Sequence, residues 1–319
     1  MVQHIVSRQS VFNVLHSPSD TEGEHVSDGI KTEVSLPFKT PFPFSSLVLS
    51  ANYRSVTDGC ILFEAQVCCG GKWSGFYKLG LLSGKFKTSF PPQEDAFGRV
   101  ETDVLTLFKP AEAYRYRLKF YGDAELFLLC ASLTRAPFMY DEKTAARLPA
   151  GAFEKEVHPI SQLEQTHPDR RRICSPVSLC MALNALGYQA DVKELMRDVF
   201  DQTAGIYGNW MFNVASAGAL GAEAYVRRFG ALGELKDFVT PDSLVLASVA
   251  YGRGELAGAA IDHTAGHLVL VCGWKKGKIL AADPAAAKQE SVLRAYDARE
   301  FANAWLSRKQ GAAYVVRKK

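Results

Sequence analysis

Up to about residue 136 the chain alternates apolar and polar positions, or sets short apolar runs between Gly, Pro and Asp. Examples are SSLVLSANY, CILFEAQVCC, WSGFYKLGLL, ETDVLTLF, YRYRLKFYG and ELFLLCASL. A repeat of two residues is the repeat of a β-strand. In YRYRLKF it puts Tyr114, Tyr116, Leu118 and Phe120 on one face and Arg115, Arg117 and Lys119 on the other, as in a sheet with one wet side. Several such strands with turn signals between them predict an all-β antiparallel sandwich, jelly-roll-like in type. No internal repeat is evident.

The stretch APFMYDEKTAARLPAGAFEKEVHP, 136–159, has Pro, Gly and mixed charge without a period, and the linker is placed here. A division into 1–148 and 149–319 follows. Beyond it the period lengthens. SPVSLCMALNALG spaces Leu179, Ala182, Leu183 and Leu186 as one helix face, with Gly187 as the stop. DVKELMRDVF does the same with Val192, Leu195, Met196, Val199 and Phe200 behind an Asp191 cap. NWMFNVASAGALG reads as a third helix, and SLVLASVAY, HLVLVCGW, KILAAD and AAYVVRK as strands. Helices first and a sheet afterwards predict an α+β domain.

Composition narrows the class. The chain has 319 residues, enough for two cores, and 47% hydrophobic against 22% charged residues is that of a globular protein. A net charge of +3 without a long basic stretch argues against nucleic acid. No apolar run is long enough to span a bilayer, and the opening MVQHIVSRQSVFNV lacks the parts of a secretory signal. A cytoplasmic location is therefore expected if Met1 is the native start, and a secreted one if a leader has been removed. Seven cysteines, none in CxxC spacing, suit neither a disulfide framework nor a zinc ribbon, and free thiols are expected. No cofactor or metal is implied, since a zinc site from His263, His267 and two cysteines would need closely spaced ligand pairs.

The candidate chemistry starts in RRRICSPVSLCMAL. Proline is tolerated in the first turn of a helix but not inside one, so Pro176 places the helix start near Cys174. A thiol there meets unpaired backbone amides and the positive end of the helix dipole, both of which favour the thiolate. Acyl transfer further needs a histidine, a group to orient it and donors for an oxyanion. His267, after Gly266 at the start of HLVLVCGW, is ranked ahead of the loop residue His263. Asp283 closes the next strand, and Gln162 and Gln165 both qualify as side-chain oxyanion donors beside the backbone amide of Cys174. A charged orienter favours imidazolium and hence an ionised thiolate–imidazolium pair at rest.

Taken together, ISQ, ICSPVSLCMAL, YGNW, GHLVLVCGW and ADPA resemble the papain-fold cysteine peptidases of the bacteriocin-processing type, in their stand-alone peptidase C thirty-nine-like branch. The resemblance covers about residues 157–316. It implies Cys174 as nucleophile, His267 as general base, Asp283 as orienter and Gln162, rather than Gln165, as oxyanion-hole donor. Members that cut leader peptides after a double glycine sit in front of an exporter, and this chain has neither a membrane span nor a GxxxxGK[ST] loop. A substrate identity does not transfer, and hydrolysis of a peptide or amide bond in a peptide or protein substrate is the expected reaction.

Other residues admit two readings. Tyr207, Asn209 and Trp210 of YGNW, with Gly266, wall a substrate cleft, or the aromatic and Asn at a helix start are a core anchor and a cap. Arg170, Arg171 and Arg172 favour an acidic substrate or form a solvated loop. Trp73, Phe76 and Tyr77 build a sugar-stacking platform or fill the sandwich core. Cys180 and Cys272 are expected to be packing residues. The alternative to a peptidase is a non-enzymatic protein, with a papain-like peptide-recognition module beside a carbohydrate- or protein-binding sandwich.

Overall fold

The alternation read in YRYRLKF appears in a computed structural model that describes residues 3–6, 11–16 and 21–319. Tyr114, Tyr116, Leu118 and Phe120 are buried on one face of the strand Val104–Tyr121, while Arg115, Arg117 and Lys119 are only half-buried on the other. This 18-residue strand is long enough to be shared. It pairs Phe38–Arg54 along part of its length, and Cys60–Cys69 on one side and Ile30–Ser35 on the other towards its end. Register shifts at Ala111 and Ala113 mark where the pairing changes, and irregularities of this kind bend a strand.

The first half is β-rich and antiparallel as expected, and the two-sheet division of a sandwich is not seen in its strand pairing. Its strands join one 13-stranded antiparallel sheet, whose main path includes Val11–His16, Glu125–Arg135, Phe38–Arg54, Val104–Tyr121, Cys60–Cys69 and Tyr77–Ser83 in that spatial order. The sequence pattern fixes which face of each strand is apolar, but not which layer covers it.

That layer is partly a helix from the other half of the chain. After the sheet ends at Arg135, the short helix α1 (Glu142–Ala145) follows, capped by Asp141, and Phe153–Glu154 already pairs with the second sheet. Three longer helices come next: α2 (Cys174–Ala185), α3 (Val192–Val199) and α4 (Trp210–Ala219). Their boundaries follow from local chemistry. The Asp191 side chain accepts from the amides of Lys193 and Glu194, and Asn209 from that of Phe212. Gly187, at φ +89°, ends α2, its amide bonding Asn184 and that of Tyr188 bonding Leu183.

The second sheet is also antiparallel. Its order is Glu223–Arg228, Ala312–Arg317, Ser243–Tyr251, Thr264–Lys275, Lys278–Ala282 and Leu293–Asp297, with Phe153–Glu154 beside Thr264–Lys275. The four strands expected from sequence are present, and three more, Phe153–Glu154, Glu223–Arg228 and Leu293–Asp297, join them. Leu293–Asp297 leads into the short helix α5 (Ala298–Ala302).

α4 belongs to both cores. Met211, Phe212 and Ala215 pack among the apolar side chains of the first sheet, whereas Val214 and Ala217 pack in the core of the second. Burying a side chain of the size of Met or Phe contributes about 1.5–3 kcal/mol, so the helix ties the halves together strongly. Polar contacts fix the register. The Asn52 side chain donates to the carbonyls of Val214 and Ala224 and accepts from the Ala224 amide, and Gly218 lets α4 approach so closely that a Cβ there would lie 2.7 Å from Asn52 side-chain atoms. Ser50 accepts from the Val226 amide, and Asn13 from that of Arg228.

Candidate active site

α2 starts without a side-chain cap at Ile173, which leaves its first amides unpaired by any capping group. Cys174 is the first residue of that helix. Behind it the helix is buried on nearly all sides, from Ser175 to Leu183, and is held by polar anchors. Ser175 donates to Asn213 at 2.8 Å and meets the Tyr314 hydroxyl at 2.9 Å, while Ser178 donates to the Leu268 carbonyl at 3.1 Å. The last bond ties the cysteine helix to the residue after His267.

The strand carrying His267 begins at Thr264, earlier than the apolar run suggested, so the histidine lies within a paired strand opposite Val249. His267 is buried, and its Nε2 is 2.8 Å from Oδ1 of Asp283. Cys174 is hydrogen-bonded to the same ring, and the Leu268 amide also reaches its sulfur. One carboxylate and one thiol thus flank the same imidazole. Exposed His263, the competing base, lies outside this arrangement.

Asp283 is held in turn. It is buried, its Oδ1 accepts from the Ala285 amide at 3.0 Å, and its Oδ2 accepts from the Tyr296 hydroxyl at 2.7 Å. Sequence reasoning missed Tyr296. It sits in Leu293–Asp297, a strand whose LRAYD stretch is too short and mixed to announce itself, and its role depends on a pairing with Lys278–Ala282 that no local pattern reveals.

The electrostatics follow from this geometry. Burial pushes the Cys174 thiol up, but the hydrogen bond and charge of His267 outweigh it and hold the thiol below its ordinary value. Burial disfavours the His267 cation, yet Asp283 and Cys174 together raise the imidazole above its ordinary range. Asp283 is lowered against its burial by the same cation and by Tyr296. All three directions favour a thiolate facing an imidazolium. The other buried thiols behave oppositely: Cys130, Cys180 and Cys272 are pushed up to about 12 by burial. Cys180 and Cys272 are packing residues, and all seven cysteines are free.

Cys174 and His267 open onto a cleft of about 670 Å³. Gln162 lines it from a 3-10 turn whose first backbone amide donates to the Pro284 carbonyl, which ties the glutamine to the segment carrying Asp283. The Gln162 side chain is buried with its Oε1 unpartnered. Gln165 instead donates back to the Ser161 carbonyl and does not line the cleft. Tyr207, Trp210 and Gly266 do line it. Asn209 does not: it is wholly buried, capping α4 and donating to Asp201, so of the two roles weighed for it the cap is the one seen.

The wall formed by residues 206–210 is braced by the first sheet. The buried Asp103 carboxylate accepts from the amides of Trp210 at 2.6 Å and Met211 at 3.3 Å, capping α4 across the interface. Asp201, also buried, accepts from Ser89 at 3.0 Å as well as from Thr203 and Ala204, and Lys87 pairs with Asp198. Of the two readings weighed for Trp73, Phe76 and Tyr77, the sugar platform is not supported. Tyr77 is buried with its hydroxyl on Asp95, and Arg115 and Arg117 cover Trp73 and Phe76, with Arg117 4.0 Å from the Phe76 ring centre.

Comparison with known proteins decides the family. Residues 154–313, half of the chain, match the "Peptidase_C39 like family". The chain belongs to it. Residues 20–127 match the "Peptidase C39 N-terminal domain", so the β-rich half is also one recognised beside such peptidases. A cysteine peptidase is what this membership supports, and it does not favour the non-enzymatic alternative. Solved structures similar to the peptidase half include a double glycine motif protease from an AMS/PCAT transporter bound to its leader peptide (17% identity, 52% of this chain and 95% of that one, TM-score 0.37). Another is the peptidase domain of Streptococcus ComA, a bi-functional ABC transporter involved in quorum sensing (16%, 52% and 99%, TM-score 0.36). A third is a C39-like peptidase from Bacillus anthracis (16%, 53% and 98%, TM-score 0.40). No curated protein matches the sequence. Among the described residues, no helix is long and apolar enough to cross a membrane.

Proposed function

We propose that this family member is a cysteine peptidase that cuts a peptide bond through Cys174, His267 and Asp283. The observation that carries the reading is that a half-buried thiol at an uncapped helix start and a buried carboxylate flank the same imidazole. The Cys174 sulfur, as thiolate, attacks the scissile carbonyl carbon. Negative charge moves to the carbonyl oxygen, where the Cys174 backbone amide and the Gln162 side-chain amide supply donors. His267 then gives its proton to the departing amine, the C–N bond breaks and a thioester remains. Water, deprotonated by the now neutral imidazole, attacks that thioester, and the sulfur leaves as thiolate while His267 regains its proton. Asp283 keeps the ring oriented and its cation stable, and Tyr296 and the Ala285 amide keep Asp283 in place.

In this reading residues 149–319 form the peptidase domain and residues 1–148 a domain that shapes its cleft, with Tyr207, Trp210 and Gly266 along the bound peptide. The leader peptide on one similar protease supports a peptide as substrate class. The test is iodoacetamide labelling with residue-resolved mass spectrometry, beside a peptide-library digest. Cys174 is expected to label at least about tenfold faster than half-buried Cys60 and Cys69, His267→Ala to slow it, and Cys174→Ala to abolish cleavage. Equal labelling of the accessible thiols, or cleavage that survives Cys174→Ala, would refute the proposal.

A further inference from the structure

The cleft contains a cation that the proposed reaction does not use. Lys309 lines it together with Arg171 and Arg172, and no Asp or Glu lines it at all. The neighbouring arginine is already matched, since Arg308 pairs with Glu255 at 2.5 Å. Lys309 is not. Its ammonium has one acceptor, the Ala265 carbonyl at a long 3.4 Å, and no carboxylate within ion-pair distance among the described residues. The side chain is half-buried, so solvent satisfies it only in part.

The backbone beneath it is fixed. The Lys309 amide donates to Trp305 at 3.2 Å, and its carbonyl accepts from Arg228 at 3.2 Å and from Ala312 at 3.1 Å. Nζ therefore hangs from a rigid turn over Ala265 and Gly266, the two residues before His267, and a Cβ placed on Gly266 would be 3.7 Å from it. Because His267 protonates the leaving amine, the part of a substrate that departs lies on the histidine's side of the cleft. Burial and the nearby Arg228 cation both push the Lys309 ammonium below its ordinary range, and a bound anion would relieve both.

We infer that the cleft selects peptides carrying a carboxylate just beyond the scissile bond, with Lys309 as the residue that pairs with it. This rests on the peptidase reading given above. The carboxylate is either an Asp or Glu side chain or the free C-terminus of a short leaving segment. Both have the same chemistry and the same partner, and they are separable by experiment.

The decisive comparison uses the full-length protein and a peptide set with Asp, Glu, Asn or Gln at each of the first two positions after the cut, every peptide made as free acid and as C-terminal amide. Kcat/KM for the acidic side chains is expected to exceed that for their amides by about tenfold if a side chain is read, and the free acid to exceed the amide by a similar factor if the terminus is read. Lys309→Met should collapse the preferred ratio towards one, and Lys309→Arg should keep most of it. Ratios near one in the wild type, or a preference that survives Lys309→Met, would overturn the inference. Should no peptide be cut, the peptidase reading fails separately. Binding of the same acidic and neutral peptides to Cys174→Ala, followed by calorimetry, then decides the Lys309 question alone: tighter binding of the acid supports it, and equal binding or none overturns it.

Discussion

Removing Asp103 tests whether the β-rich half braces the cleft. In Asp103→Ala the amides of Trp210 and Met211 lose their acceptor at an interface where Met211 is wholly buried, so water cannot readily replace it. Loss of a helix cap costs about 1 kcal/mol, and stranding a buried donor about 1–3 kcal/mol. Against this stands a gain. Burial raises the Asp103 carboxyl to about 6, even though the helix amides pull it down, so its ionised form is itself costly in the fold. A carboxyl raised in the folded state contributes stability below its unfolded value that is lost as pH rises through the folded one. The penalty of Asp103→Ala should therefore be about 2 kcal/mol near pH 7 and larger near pH 5. Urea unfolding of the full chain at both pH values, followed by tryptophan fluorescence, measures it. Because Trp210 is part of the wall, KM should rise a few-fold while iodoacetamide labelling of Cys174 stays near wild type. Unchanged stability at both pH values would refute the brace.

The proposed triad predicts a bell-shaped dependence of kcat/KM on pH: the rising limb, at which the thiolate forms, lies below the ordinary thiol value, and the falling limb, at which the imidazolium is lost, lies above the ordinary histidine value. A profile that falls away near pH 6.5 would contradict the raised imidazole. Gly218→Ala should destabilise the protein by about 2 kcal/mol or more, since its Cβ meets Asn52 atoms at 2.7 Å on a buried polar anchor, and thermal unfolding should show the loss. A midpoint equal to wild type would mean that the two sheets slide apart easily.

What the sequence disclosed was local. Asp191 and Asn209 caps, the Pro176 helix start and the Tyr114–Phe120 alternation each depend on neighbours a few residues away, and each appears where its chemistry requires. The structure brings Cys174, His267 and Asp283 together, and the sequence marked them as candidates because each sits at or near the start or end of an element, where side chains converge. Tyr296 and Asp103 were not so marked. Their importance comes from partners 13 and 107 residues away, and nothing in LRAYD or ETDV distinguishes an orienting phenol or a capping carboxylate from a surface one. The layer arrangement of the β-rich half was not legible for a similar reason. Alternation identifies an apolar face, but the chain covers part of that face with α4, and only the paired register tells one sheet from two.

Double membership of α4 has a consequence for how this protein comes into being and how it can be cut down. A ribosome delivers the β-rich half first, yet Met211 and Phe212 arrive 76 and 77 residues after the sheet's end at Arg135, so the newborn sheet must wait with an open apolar face. Severed at the linker, either fragment would carry half of a shared seam and would tend to stick to its missing complement. The smallest autonomous unit is then the pair.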